Sequence, residues 1–162
     1  GAVHLVDQLQ WITGRRIVEV AAFGNGLGSA DGFAGDDTVT AAVRFDDGMT
    51  GTVGANFACV RPHGHALRIS GTEATFENDE PHGRVWTSRD PAVAPEPVTA
   101  PHPGAAKGAL IPEFIDEILG RGAAAVPAVP MEDVFAALAV CFAIDRSRRD
   151  GGVPITVEPI DA

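Results

Sequence analysis

The sequence predicts an α+β domain in which an antiparallel sheet carries helices on one side. Three observations lead there. The elements run helix, a series of strands, two helices and a last strand, an order that suits an antiparallel sheet and not a doubly wound parallel one. A hairpin is legible over residues 38–57, where two alternating segments flank Asp46-Asp47-Gly48. No G-x-G-x-x-G turn followed by a helix occurs, so the chain is read as carrying no nucleotide-binding fold of its own. All 162 residues are read as a single domain, long enough to bury a real core.

Residues 3–13 read as a short helix, with Leu5, Leu9 and Ile12 at helical spacing. Gly14 follows where a left-handed cap is wanted. On the neighbouring face stand His4, Asp7, Gln8 and Trp11, which puts an imidazole and a carboxylate one turn apart. Ile17–Phe23 is a strand, and a glycine-rich loop runs from Gly24 to Gly35.

In the hairpin, Val39, Ala41, Val43 and Phe45 share one face with Met49, Gly51, Val53, Ala55 and Phe57. The opposite face holds Thr38, Thr40, Ala42, Thr50, Thr52, Gly54 and Asn56, small enough to be covered closely by another domain or subunit. Residues 66–70 and 74–77 form a second strand pair about Gly71-Thr72-Glu73, and residues 84–88 continue the pattern. Residues 91–104 are proline-rich and read as a loop or an edge excursion.

Pro112 opens a helix over residues 113–119, with Gly120 behind it. A longer helix spans about residues 131–149, with Glu132 and Asp133 in its first turn and Arg146, Arg148 and Arg149 in its last, as the helix dipole favours. Its apolar positions run most of the way round, which predicts deep burial. Residues 153–157 form the last short strand.

Composition is that of a globular protein, 45% hydrophobic and 21% charged. A net charge of −10 repels phosphate backbones and anionic membranes, which argues against nucleic-acid or membrane partners. No segment is apolar enough to span a bilayer and no signal peptide is visible, so a cytoplasmic location is expected. Cys59 and Cys141 sit far apart in apolar runs and read as small buried side chains.

Four constellations bear on chemistry. Gly24-Asn25-Gly26-Leu27-Gly28 has the glycines of a phosphate loop without its spacing, and reads as a loop. His63, His65, His82 and His102 lack the spacing of a zinc site and read as exposed loop histidines; no metal is expected. Arg61, just after a strand, suits an anionic or hydroxylated substrate or a solvated loop. His4 with Asp7 is the strongest: histidine takes a proton near neutral pH, and a neighbouring carboxylate orients it or stabilises its charge.

The opening GAVHLVDQLQWITG with IVEVAA, the hairpin DDTVTAAVRFDDGMTGTV, LRISGTEATFE and the closing VPMEDVFAALAVCFAIDRSRRDGGVPITV resemble, in order, the C-terminal domain of one family. It is the glucose–fructose oxidoreductase / inositol dehydrogenase / rhizopine catabolism (Gfo/Idh/MocA) family. The resemblance implies an α+β domain whose large, mostly antiparallel sheet has helices packed on one face. It implies substrate contacts and a homo-oligomer interface on the sheet face. The full-length protein would use NAD or NADP, bound mainly by an N-terminal Rossmann domain that is absent from these 162 residues, with none expected in this chain. It would act on a sugar, cyclitol or related polyol, and this chain alone is expected to be inactive.

By that resemblance His4 falls on the family's acid/base histidine, which deprotonates the substrate hydroxyl as hydride leaves the same carbon. Asp7 falls on an acidic residue that contacts substrate or supports the histidine, and His63 and Arg61 lie near a substrate-touching position. The alternative is a stand-alone, non-catalytic ligand-binding or dimerisation module on the same fold; a metal-dependent enzyme using the histidines is a distant third.

Overall fold

A computed structural model describes residues 2–28, 35–62, 64–78, 82–99, 108, 111–121 and 130–160. In chain order the elements are α1 (Ala2–Thr13), β1 (Ile17–Asn25), β2 (Thr38–Phe45), β3 (Thr50–Asn56), β4 (Leu67–Ser70), β5 (Thr75–Asn78), β6 (Gly83–Trp86), β7 (Glu96–Val98), α2 (Ile111–Ile118), α3 (Met131–Arg149) and β8 (Ile155–Thr156). All described strand pairs are antiparallel, as the sequence predicts. They fall into two four-stranded sheets, ordered β3-β2-β1-β8 and β4-β5-β6-β7. The chain divides into two compact units, one of Gly1–Arg61 with Ala124–Ala162 and one of Pro62–Ala123.

The first unit is built on the β3-β2-β1-β8 sheet. Asp46-Asp47-Gly48 turns the hairpin, with Gly48 at φ 89° and the Asp47 carboxylate accepting the Met49 N–H at 3.0 Å. The register sets Val43 opposite Gly51 and Ala41 opposite Val53, so alternation delivers Ala41, Val43, Phe45 and Val53 to one buried face. Helices α1 and α3 pack there, adding Val6, Ala137, Val140 and Ala143 to the same core. Small residues on α3 let the helix lie close to the sheet. Its burial is one-sided, however: Phe142 and Met131 are exposed, opposite the side that buries Ala137, Ala139, Val140, Ala143 and Ser147.

Polar contacts fix the joints. Gly14 has φ 63° and donates its N–H to the Gln10 carbonyl at 2.9 Å, ending α1 as its position predicts. Gln10, itself buried, accepts the Ile17 N–H at 3.1 Å and pins the irregular start of β1 to the helix. Arg16 pairs with Asp133 in the first turn of α3. The closing strand β8 sets Glu19 against Thr156, and Val157 donates to the Val18 carbonyl at 2.9 Å.

The second unit holds the β4-β5-β6-β7 sheet. One face carries Leu67, Ile69, Phe76 and Val85; the other carries Arg68, Glu77 and Arg84 in a cross-strand row. Glu77 pairs with Arg68 at 3.2 Å and with Arg84 at 3.6 Å. Part of the proline-rich segment becomes β7, an edge strand, which suits Pro97 because an edge position does not need its missing N–H. Helix α2 is exposed throughout.

Candidate functional site

Helix α1 divides lengthwise. At 100° per residue, Val6 and Gln10 fall on one side and are buried, whereas His4 and Trp11 fall on the other and are exposed. Asp7 and Gln8 lie between, half-buried on the edges of the exposed strip. The helix is held in place by its packing on α3 and β3, so the strip presents His4 and Asp7 on a rigid element. Their spacing, one turn, allows the carboxylate to orient the imidazole or stabilise it once protonated. Among the described contacts no hydrogen bond joins them.

Arg61 is exposed at the end of the first unit, in the turn after β3, where its N–H donates to the Cys59 carbonyl at 3.0 Å. His63 and His102 lie outside the described residues. His65 and His82 are exposed, and among the described residues no group of three or more His, Cys, Asp or Glu side chains is drawn together. No helix among them is long and apolar enough to cross a membrane.

Cys59 departs from the sequence expectation. It is exposed, because β3 ends at Asn56 and the chain turns outward there. The Asn56 side chain sets that turn by accepting the N–H groups of Ala58 at 2.9 Å and Cys59 at 2.8 Å. Cys141 is half-buried against the core, and desolvation pushes its thiol above the usual range.

The glycine loop does not fit a dinucleotide phosphate. Strand β1 runs through Asn25, and when the described chain resumes it enters the antiparallel β2, with no described helix whose N-terminus faces the loop. The Gly28 N–H, a donor a phosphate would use, is given at 2.8 Å to the carboxylate of Asp37. Asp37 is buried, takes the Thr38 hydroxyl at 2.8 Å, and accepts the Phe57 N–H on its backbone carbonyl at 2.9 Å. A buried carboxylate in that position disfavours a second anion. Sequence reasoning misses Asp37; the available signal is the Asp36-Asp37 pair flanking a glycine loop at the head of a strand. Beside it, Arg148 of α3 reaches Asp36 at 2.6 Å and Asp145 at 3.0 Å, and these two carboxylates hold its guanidinium even more firmly protonated than usual.

The face of the first sheet turned away from the helices is open. Thr40, Ala42, Thr52 and Gly54 are exposed on it, and Phe23 of β1 stands out at 67% exposure.

Comparison with known proteins agrees with this architecture. The family model of the GFO/IDH/MocA C-terminal domain matches residues 1–77. A myo-inositol dehydrogenase from Streptomyces leeuwenhoekii is 39% identical over 80 residues, which is 47% of this chain and 24% of that enzyme. Among solved structures, the WlbA dehydrogenase from Bordetella pertussis, in complex with NADH and UDP-GlcNAcA, is 25% identical with a TM-score of 0.67. The match covers 99% of this chain and 45% of that one. An NAD binding oxidoreductase from Klebsiella pneumoniae gives a TM-score of 0.73 at 20% identity, over 98% of this chain and 50% of that one. The chain thus spans half or less of the length of these relatives. Over residues 1–77 this chain matches the family model of the GFO/IDH/MocA C-terminal domain, and over nearly its whole length its fold is similar to that of part of these solved oxidoreductases.

Proposed function

We propose that this domain is the substrate-binding and oligomerisation half of an NAD(P)-dependent oxidoreductase acting on a hydroxyl of a sugar, cyclitol or related polyol. The observation that carries it is the exposed His4 with Asp7 one turn on, displayed by a helix within the residues that match the GFO/IDH/MocA C-terminal domain model. The myo-inositol and UDP-sugar named for two relatives support the substrate class.

Oxidising a secondary alcohol requires a proton acceptor within hydrogen-bond reach of the hydroxyl. His4 fills that role by taking the hydroxyl proton, with Asp7 one turn away on the same helix. A nicotinamide, when bound, supplies the hydride acceptor. The Asp37 carboxylate at the glycine loop supports a dinucleotide held by another part of the protein. Arg61 and His63 are proposed to contact substrate oxygens.

The open sheet face is the proposed oligomer interface. Thr40, Ala42 and Gly54 permit close approach, and Phe23 supplies an apolar anchor for a second copy.

The test is His4→Ala in the protein expressed from its complete reading frame. Turnover of NAD(P) with polyol substrates should fall by roughly 10²–10⁴ with the circular-dichroism spectrum unchanged. Wild-type turnover in that variant refutes the assignment. A reading frame with no nucleotide-binding segment favours the stand-alone binding or dimerisation module.

A further inference from the structure

The glycine loop at the end of β1 carries the pair Asn25-Gly26, which the activity proposed above leaves unused. Asn25 is exposed, and its side-chain carbonyl accepts the Leu27 N–H at 3.2 Å. That bond curls the carboxamide back over the Gly26 peptide, in the kind of turn asparagine closes on its own backbone. Among the described contacts neither the Gly26 N–H nor the Asn25 side-chain NH2 is given to an acceptor. Three neighbouring residues thus hold the parts of an acyl transfer: the Gly26 nitrogen, the electrophilic Cγ of Asn25 and a donor, the Leu27 N–H, on the oxygen of that carbon. Gly26 has no side chain to hinder the approach.

We infer that Asn25 is a site of spontaneous chemical modification, converted through a cyclic imide with Gly26 into aspartate and isoaspartate. Solvent base takes the Gly26 amide proton, and the nitrogen bonds to Asn25 Cγ. The displaced electron pair settles on Oδ1, where the Leu27 N–H stabilises it. As the carbonyl re-forms, the bond from Cγ to Nδ2 breaks and ammonia leaves with a proton from water. Water then opens the imide. Cleavage at Cγ gives aspartate; cleavage at the backbone carbonyl gives isoaspartate, with the main chain rerouted through the side chain.

The rest of the chain shows what protects such a residue. The Asn56 side-chain carbonyl is held by two N–H groups, and the nitrogen that would attack it, that of Phe57, donates to the Asp37 carbonyl at 2.9 Å. Asn78 lies in β5, paired with Leu67 and Gly83, and its side chain donates to the His65 carbonyl at 3.1 Å. Asp47-Gly48 closes the same kind of turn onto Met49, but the Gly48 N–H is given to the Phe45 carbonyl at 3.0 Å. A carboxylate is also a poorer electrophile than an amide.

Modification loosens the loop. It adds a negative charge beside Asp37, whose N–H donates to the Asn25 carbonyl at 3.0 Å. The extra methylene of isoaspartate displaces Leu27 and Gly28 from their acceptors, so the buried Asp37 carboxylate loses a donor.

Peptide mapping of the protein made from its complete reading frame, aged at mildly alkaline pH, tests the inference. The Asn25 peptide should gain the mass of an amide-to-carboxyl change and accept methyl groups from a protein isoaspartate methyltransferase. The Asn56 and Asn78 peptides should change at least several-fold more slowly. Asn25→Ser, which keeps an oxygen for the Leu27 N–H, should abolish methylation of that peptide. An Asn25 peptide that stays intact in the folded protein, or converts only in urea, overturns the inference. Conversion to aspartate with no isoaspartate overturns it too, because direct hydrolysis then replaces attack by Gly26.

Discussion

The hydroxyl of Ser147 accepts the backbone N–H of Ala22 at 2.9 Å, in a part of the core where both residues have no exposed surface. The same hydroxyl donates to the Val153 carbonyl at 2.6 Å, so one small side chain ties helix α3, strand β1 and the chain leading to β8. Ser147→Ala leaves the Ala22 N–H buried with no acceptor, at a cost of about 1–3 kcal/mol. Urea unfolding of wild type and variant measures it directly; a difference under half a kcal/mol contradicts the assignment.

Gly152 is constrained twice over. Its φ is 88°, and a Cβ there would come within 2.3 Å of the Phe23 ring. The ring is exposed and can swing aside, so the lasting penalty for Gly152→Ala is the backbone strain, about 1–2 kcal/mol. In wild type the variant should lose about this much, and a Phe23→Ala background should leave the loss little changed. Both unfolding series need one fixed protein concentration, since Phe23 also sits on the proposed oligomer face.

Gly24 stands where the Asp36–Arg148 ion pair crosses β1. A Cβ at that position would come within 2.4 Å of Asp36 Oδ2 and 2.8 Å of the Arg148 stem. Both partners are about three-quarters buried. Their pairing lies between the exposed and the fully buried case, and Asp36→Ala should cost about 1–2 kcal/mol. Gly24→Ala should cost a similar amount, and combining the two should cost less than their sum; additivity in thermal melts would show that the glycine is there for another reason.

The two thiols should separate cleanly by chemistry. Cys59 is exposed, whereas burial raises the Cys141 thiol, so at neutral pH iodoacetamide should modify Cys59 first and reach Cys141 only as the protein unfolds. The linkage has a defined sign. A thiol pKa higher in the fold than in the open chain favours the fold below the ordinary thiol range, and that contribution is lost as pH climbs through the raised value. Stability should therefore decline at alkaline pH, and Cys141→Ala should flatten the decline. Peptide mapping after timed alkylation and pH-dependent melts are the two measurements.

Local chemistry explains how much could be read in advance. Gly14 and Gly48 both sit at positive φ where the sequence asks for it, because cap and turn demands are local and only glycine meets them cheaply. The hairpin register followed from alternation for the same reason: a one-residue slip would expose Val43 and Val53. The His4–Asp7 strip was legible from spacing alone. What escaped has two causes. The outward turn at Cys59 is local, set by the Asn56 side chain three residues earlier, but the apolar run around the cysteine masks it; the role of Asp37 appears only once β1 and β2 are side by side. The division of the strands into two sheets is likewise a matter of pairing across the chain, which alternation does not encode.

The first unit is completed by residues from both ends of the sequence, with the second unit's residues inserted between them. Its sheet ends at β8, whose partner β1 was made some 135 residues earlier, the pairing being Val20 with Ile155 and Glu19 with Thr156. On the ribosome, therefore, β1 waits with one edge unpaired, and the core beneath it lacks α3, until the residues of α3 and β8 have been made. During that interval the bare strand edge around Val18–Val20 invites pairing with neighbouring chains. Translation speed and chaperone supply thus bear on the yield of this domain more heavily than its modest size suggests.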